Sequence, residues 1–171
     1  MSTRTFALIF GIIYLGAGLL GLMPGLLTPM PAGGPPVRFD VMPGALLGLF
    51  PVNMLHTVVH LAIGAWGLMA FMDWLRPRTY ARSVALIFAL LGVMGLMPEL
   101  NTLSGLMPLY GHDIWLHLGT AAVAAYAGFA VSEPAGERRS LAGDRRKASR
   151  APLAHERRQG PYDRRRTPFP A

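Results

Sequence analysis

Hydrophobic positions in this chain run in long unbroken blocks, not in the alternating or 3.6-residue stripes of a soluble fold. Every residue from Phe6 to Met23 is apolar except Tyr14. Three more blocks follow at about 53–72, 83–98 and 114–131. A helix rises about 1.5 Å per residue, so about 20 apolar residues cross a ~30 Å hydrocarbon core. The pattern predicts four spanning helices, the third being short for a full crossing. Pro29 to Pro36 holds four prolines and two glycines and must be loop, because proline lacks the N–H and clashes with the preceding turn. Arg4 ahead of the first block resembles the start of a signal peptide. No small-x-small cleavage site follows it, so the block is expected to stay as an anchor. The expected fold class is all-α, a four-transmembrane-helix bundle over 1–131.

The blocks also repeat. Gly48-Leu49-Phe50-Pro51 leads to His60-Leu61, and 57 residues later Gly105-Leu106-Met107-Pro108 leads to His117-Leu118. Ala7-Leu8-Ile9-Phe10 recurs as Ala85-Leu86-Ile87-Phe88, and Gly21-Leu22-Met23-Pro24 as Gly95-Leu96-Met97-Pro98. The bundle therefore reads as a duplicated helical hairpin. Each unit crosses twice, so both copies share one orientation about an axis along the membrane normal.

Charge is segregated. Residues 132–171 carry eleven of the sixteen Lys and Arg and five of the nine acids, which leaves only nine charged side chains for the first 131. A soluble domain needs about a quarter of its residues charged, so the lipid bilayer is the expected partner of the first 131. Arg4, the Arg76, Arg78 and Arg82 loop and the tail fall on one side of a four-span topology. The positive-inside rule then puts both termini and the middle loop in the cytoplasm. The tail repeats Glu137-Arg138-Arg139 and Asp144-Arg145-Arg146 at 156–158 and 163–165, is broken by Gly and Pro, and lacks core-forming residues. Disorder is expected there, with attraction to anionic lipid headgroups. Nucleic acid is a poorer partner, since no aromatic platform accompanies the charge. Cysteine is absent, which excludes disulfides, thiolate metal sites and c-type haem attachment.

The candidate chemistry lies in histidine. His56 and His60 are four apart, so they share one helical face within ~6 Å. Asp113 and His117 repeat that spacing on the fourth helix. Facing one another, they would present three imidazoles and a carboxylate, a donor set suited to zinc, iron, manganese or copper. Glu99 and His112 lie in the adjoining loop and could join. A bis-histidine haem through His60 and His117 uses the same premise. The plainer alternative makes Asn53, His60 and His117 hydrogen-bonding glue between helices, with Asn53 and Asp113 as N-caps. Gly16, Gly18, Gly21, Gly64, Gly67, Gly92 and Gly95 are expected to let helix backbones approach closely, within the bundle before any homo-oligomer face.

The string Val52-Asn53-x-x-His56-x-x-Val59-His60-Leu61-x-x-Gly64-x-x-Gly67-Leu68, with its echo Trp115-Leu116-His117-Leu118, resembles a bacterial integral-membrane family called domain of unknown function 4383. The resemblance covers roughly Phe6 to Val131 and implies four helices in a bacterial inner membrane. It implies no activity. Thr57 and Ile114 stand where that family often has Asn.

Three functional classes follow. The first is a small polytopic membrane protein, non-enzymatic and structural or accessory to a protein partner. The second is a metal- or haem-binding protein using His60 and His117. The third is a small transporter or channel, against which the spans hold no acid at mid-depth and no charged pathway. No serine, cysteine or carboxylate pair sits beside a plausible base, so hydrolysis is disfavoured.

Overall fold

The structure is a computed structural model that describes residues 1–132; the basic tail expected at 132–171 lies, from residue 133 onward, outside the described residues. Helix α1 spans Thr3–Gly21, α2 Met54–Phe71, α3 Pro77–Leu96 and α4 His112–Ala125. The α4 helix then widens into a π-helical turn, Tyr126–Ala130. Three helices, α1 to α3, are long and apolar enough to cross a membrane. The fourth has 14 α-helical residues before the π turn, which adds five.

Helix α3 starts at Pro77, six residues ahead of the Ser83 expected from hydropathy. Proline suits this first position, where its missing N–H is not needed. Hydropathy hid the extra turns because Arg78 and Arg82 lie in them. Both guanidinium groups donate through Nε to the Gly128 carbonyl at 3.0 Å, closing the end of the neighbouring π turn. At the same end of the bundle Arg4 donates to the Phe71 carbonyl at the close of α2 and pairs with Asp73 at 3.1 Å. The basic residues thus serve helix C-termini, where free carbonyls favour positive charge.

The helices pack chiefly as two hairpins, α1 on α2 and α3 on α4. Glycine sets both contacts. Side chains added at Gly18 and Gly21 would run into Leu61 and Thr57, and side chains added at Gly92 and Gly95 into Leu118 and Ile114. At Gly64 the obstruction is the Leu15 backbone itself, so α1 and α2 touch main chain to main chain. Gly16 meets nothing within 4 Å and faces outward, unlike the other glycines named for packing. The core between hairpins holds Phe6, Tyr14, Tyr80, Val84 and Phe88, all essentially without solvent contact. Ile9, Ile12, Ile13, Leu86, Leu90 and Trp115 point outward, as expected of a lipid-facing surface.

The all-α expectation misses one element. The long loop between α1 and α2 carries a small antiparallel sheet, β1 (Leu27–Thr28), β2 (Gly44–Leu46) and β3 (Phe50–Val52), in that order. Ala45 stands opposite Pro51 in the register, and Leu47 and Gly48 turn β2 into β3 with φ of 55° and 71°. Two consecutive positive φ values make the tight turn whose twist suits a hairpin. Strand β3 touches both α2 and α4, and Met107 and Leu109 of the second outer loop are buried. The Arg38 and Phe39 amides both donate to the Gly105 carbonyl, binding the first outer loop to the second.

Candidate metal centre

Two helix beginnings build the site. Asn53 caps α2, its side-chain oxygen accepting from the His56 amide at 3.0 Å. Its side-chain nitrogen donates to the carbonyls of Phe39, at 2.9 Å, and Leu106, at 2.8 Å. One residue thereby fixes the start of α2 and stitches both loops above it. Helix α4 has no such cap: Gly111 occupies the N-cap position, and Asp113 sits inside the first turn. The expectation that Asp113 caps α4 is thus not met; its carboxylate turns into the bundle instead.

Within the bundle, the first two turns of α2 present His56 and His60, and the first two turns of α4 present Asp113 and His117. The structure brings these four together. One ligand nitrogen from each of His56, His60 and His117 lies within 4.8 Å of the others. Asp113 Oδ2 stands 3.8 Å from His56 Nε2 and 3.6 Å from His117 Nε2. Both distances exceed a hydrogen bond. All four residues are at most 4% exposed. Glu99 and His112 are exposed and lie outside the cluster.

The polar atoms here have no partners to spend themselves on. Both ring nitrogens of His60, Nδ1 of His117 and both Asp113 oxygens lack a hydrogen bond among the described residues. An orphaned buried polar group costs about 1–3 kcal/mol, and several within one shell make a large local debt. Three imidazoles and a carboxylate converging in this way form a donor set of the kind that holds a cation. A tetrahedral ion with bonds of about 2.0–2.1 Å holds its donors about 3.4 Å apart, so the three imidazoles, with nitrogens within 4.8 Å of one another, close on that spacing with shifts on the order of 1 Å, and Asp113 flanks two of them.

Aromatic rings flank the cluster. Tyr14 meets His60 edge-on at 5.3 Å between ring centres, and Phe88 meets His117 edge-on at 5.1 Å. The Tyr14 hydroxyl and the Thr120 hydroxyl lie 2.7 Å apart in a buried hydrogen bond that ties α1 to α4. Tyr14 is the residue that sequence reasoning passed over. Its signal was available, as the lone polar side chain in the first apolar block. Tyr14→Phe keeps the ring against His60 but strands the Thr120 hydroxyl. The expected loss is about 1 kcal/mol, read as a lower melting temperature in detergent.

Comparison with known proteins adds one finding. A family model described as domain of unknown function (DUF4383) matches residues 4–130, three quarters of the chain. No curated protein and no solved structure matches it.

Proposed function

Since the chain belongs to the DUF4383 family, a domain of unknown function, we propose from the site itself that this is a polytopic membrane protein binding one transition-metal ion at His56, His60, Asp113 and His117. The observation that carries this reading is the convergence of three buried imidazoles and a carboxylate that leave one another unbonded. Three nitrogens and one oxygen, in a closed buried shell, suit zinc, with copper or iron as competitors. A bare ion suits the spacing better than a haem. His56 and His60 pack ring to ring at 4.5 Å, with Tyr14 and Phe88 against the cluster, so no slot for a macrocycle opens between His60 and His117.

The fourth crossing belongs to the same proposal. Helix α4 with its π turn counts 19 residues, about 28 Å at helical rise, enough for a thin stretch of bilayer. Four crossings place both termini and the arginine-capped end in the cytoplasm, and the metal cluster near the opposite face. Duplication of a hairpin is supported by matching contacts. Gly18 on Leu61 and Gly21 on Thr57 correspond to Gly92 on Leu118 and Gly95 on Ile114, with offsets of 74 in the first helix and 57 in the second. The same offsets relate Tyr14–His60 to Phe88–His117. The Ala7-Leu8-Ile9-Phe10 echo, offset by 78, is out of step with these contacts by one helical turn. Where the halves differ, at His56 against Asp113, the difference supplies the one oxygen donor.

The test is elemental analysis of the full chain purified in detergent, alongside His60→Ala/His117→Ala. Expected is one ion per wild-type chain and background in the double variant. Cobalt added to wild type should develop the visible bands of a tetrahedral nitrogen–oxygen site. No metal above background, together with no cobalt spectrum, would remove the reading and leave a structural membrane protein.

A further inference from the structure

A pocket of about 240 Å³ opens among the outer loops, lined by Phe39, Asp40, Val52, Asn53, Pro108 and Tyr110 among others. Its position is the informative part. Asn53 stands directly before α2, one turn above His56, and Tyr110 stands before α4, one turn above Asp113. The pocket therefore sits over the heads of both helices that carry the four donors. Asp40 supplies its only ionisable carboxylate, and that carboxylate is exposed and makes no hydrogen bond or ion pair among the described residues. Burial raises the Tyr110 phenol above its ordinary range, so it stays a neutral hydroxyl beside that charge.

Toward the arginine-capped end lie Phe6, Tyr14, Tyr80 and Phe88, each at most 2% exposed, and a hydrated ion cannot pass such packing. On the loop side the open pocket, largely apolar but carrying Asp40, Asn53 and Tyr110, comes within one helical turn of the donors. Six waters at about 30 Å³ each occupy roughly 180 Å³, so a hexahydrated divalent cation fits the pocket with its shell intact. Between pocket and cluster stands Asn53, held by its two bonds to the Phe39 and Leu106 carbonyls.

We propose that this outer-loop pocket is the vestibule through which a hydrated divalent cation reaches the four-donor cluster, Asp40 capturing the ion and Asn53 forming the closure between the two compartments. The proposal rests on the metal reading above and adds its route and direction of access. Asp40 is not a ligand of the final site. It lowers the energy of an ion in transit, so by microscopic reversibility it speeds arrival and departure alike and leaves the equilibrium affinity unaltered.

The experiment follows Zn²⁺ binding and release by stopped flow, with a chromophoric chelator, on the full chain in detergent. Asp40→Asn is expected to slow both rates by the same factor, about fivefold or more given the reach of a single charge in a low-dielectric mouth, at unchanged Kd. Asn53→Ser keeps a side-chain oxygen for the helix cap but deletes both loop bonds, so both rates should rise together. Should Asn53→Ser fail to fold, Asp40→Asn, a surface change, still decides the matter. Unaltered rates in Asp40→Asn overturn the vestibule while leaving the metal site standing. A weakened Kd with an unaltered association rate also overturns it, by making Asp40 a ligand. A wild-type chain that takes up no Zn²⁺ overturns the metal reading, and the vestibule with it.

Discussion

Removing the metal from the purified protein with a chelator is expected to lower its apparent stability by about 4 kcal/mol, if free ion had stood at a thousand times its dissociation constant. The sign follows from the site. Binding satisfies His60, His117 and Asp113 atoms that otherwise lie buried without partners, and the unfolded chain offers no equivalent cage. Asp113→Asn sharpens the expectation, because its effect should change direction with metal. In stripped protein the amide replaces a buried unpaired carboxylate and can donate to the imidazoles, so stability should rise by about 1–3 kcal/mol. In Zn²⁺-saturated protein the same variant should be the less stable one, since a charged oxygen donor is gone. Melting curves with and without chelator read both arms. A variant that is destabilised equally in both states would mean that Asp113 serves the fold alone.

Gly64→Leu should prevent the first hairpin from closing. Any side chain there meets the Leu15 backbone, which cannot swing aside as a side-chain tip would. Overpacking a core by a few methylenes costs about 1–3 kcal/mol, and a whole isobutyl group wedged between two main chains should exceed that range. The readout is the yield of monodisperse protein in mild detergent, compared with Gly16→Leu. Gly16 faces outward with nothing within 4 Å, so leucine there adds only lipid-facing surface and should leave yield and melting temperature close to wild type. Equal behaviour of the two variants would contradict the close contact of α1 with α2.

The candidate site was legible because helical spacing is a strict geometric statement. His56 with His60, and Asp113 with His117, had to share faces whatever the tertiary arrangement, and the 57-residue offset suggested equal depth. What the spacing could not reveal was the company these residues keep. Asp113 near a helix start reads as a cap, but Gly111 begins α4 and the carboxylate is left to face the imidazoles. Tyr14 lies 46 residues from His60, and no local pattern announces their contact. The small sheet escaped because its strands are two or three residues long and one contains Pro51, so their pairing comes from tertiary placement over the bundle. The early start of α3 escaped because arginine lowers hydropathy even where its guanidinium has a carbonyl to bind, as Arg78 and Arg82 do at Gly128. Among the glycines, sequence marked the small-residue faces but not which way Gly16 turned.

The claim on which the rest depends is that one ion sits among these four side chains. X-ray absorption at the metal edge of the purified, Zn²⁺-loaded full chain counts the donors and measures their distances. Three imidazole nitrogens and one oxygen at about 2.0–2.1 Å, losing the oxygen in Asp113→Ala and imidazole scattering in His117→Ala, is the expected spectrum. A shell of water oxygens alone, unaltered by either substitution, would show that the ion lies elsewhere and that the buried histidines hold no metal.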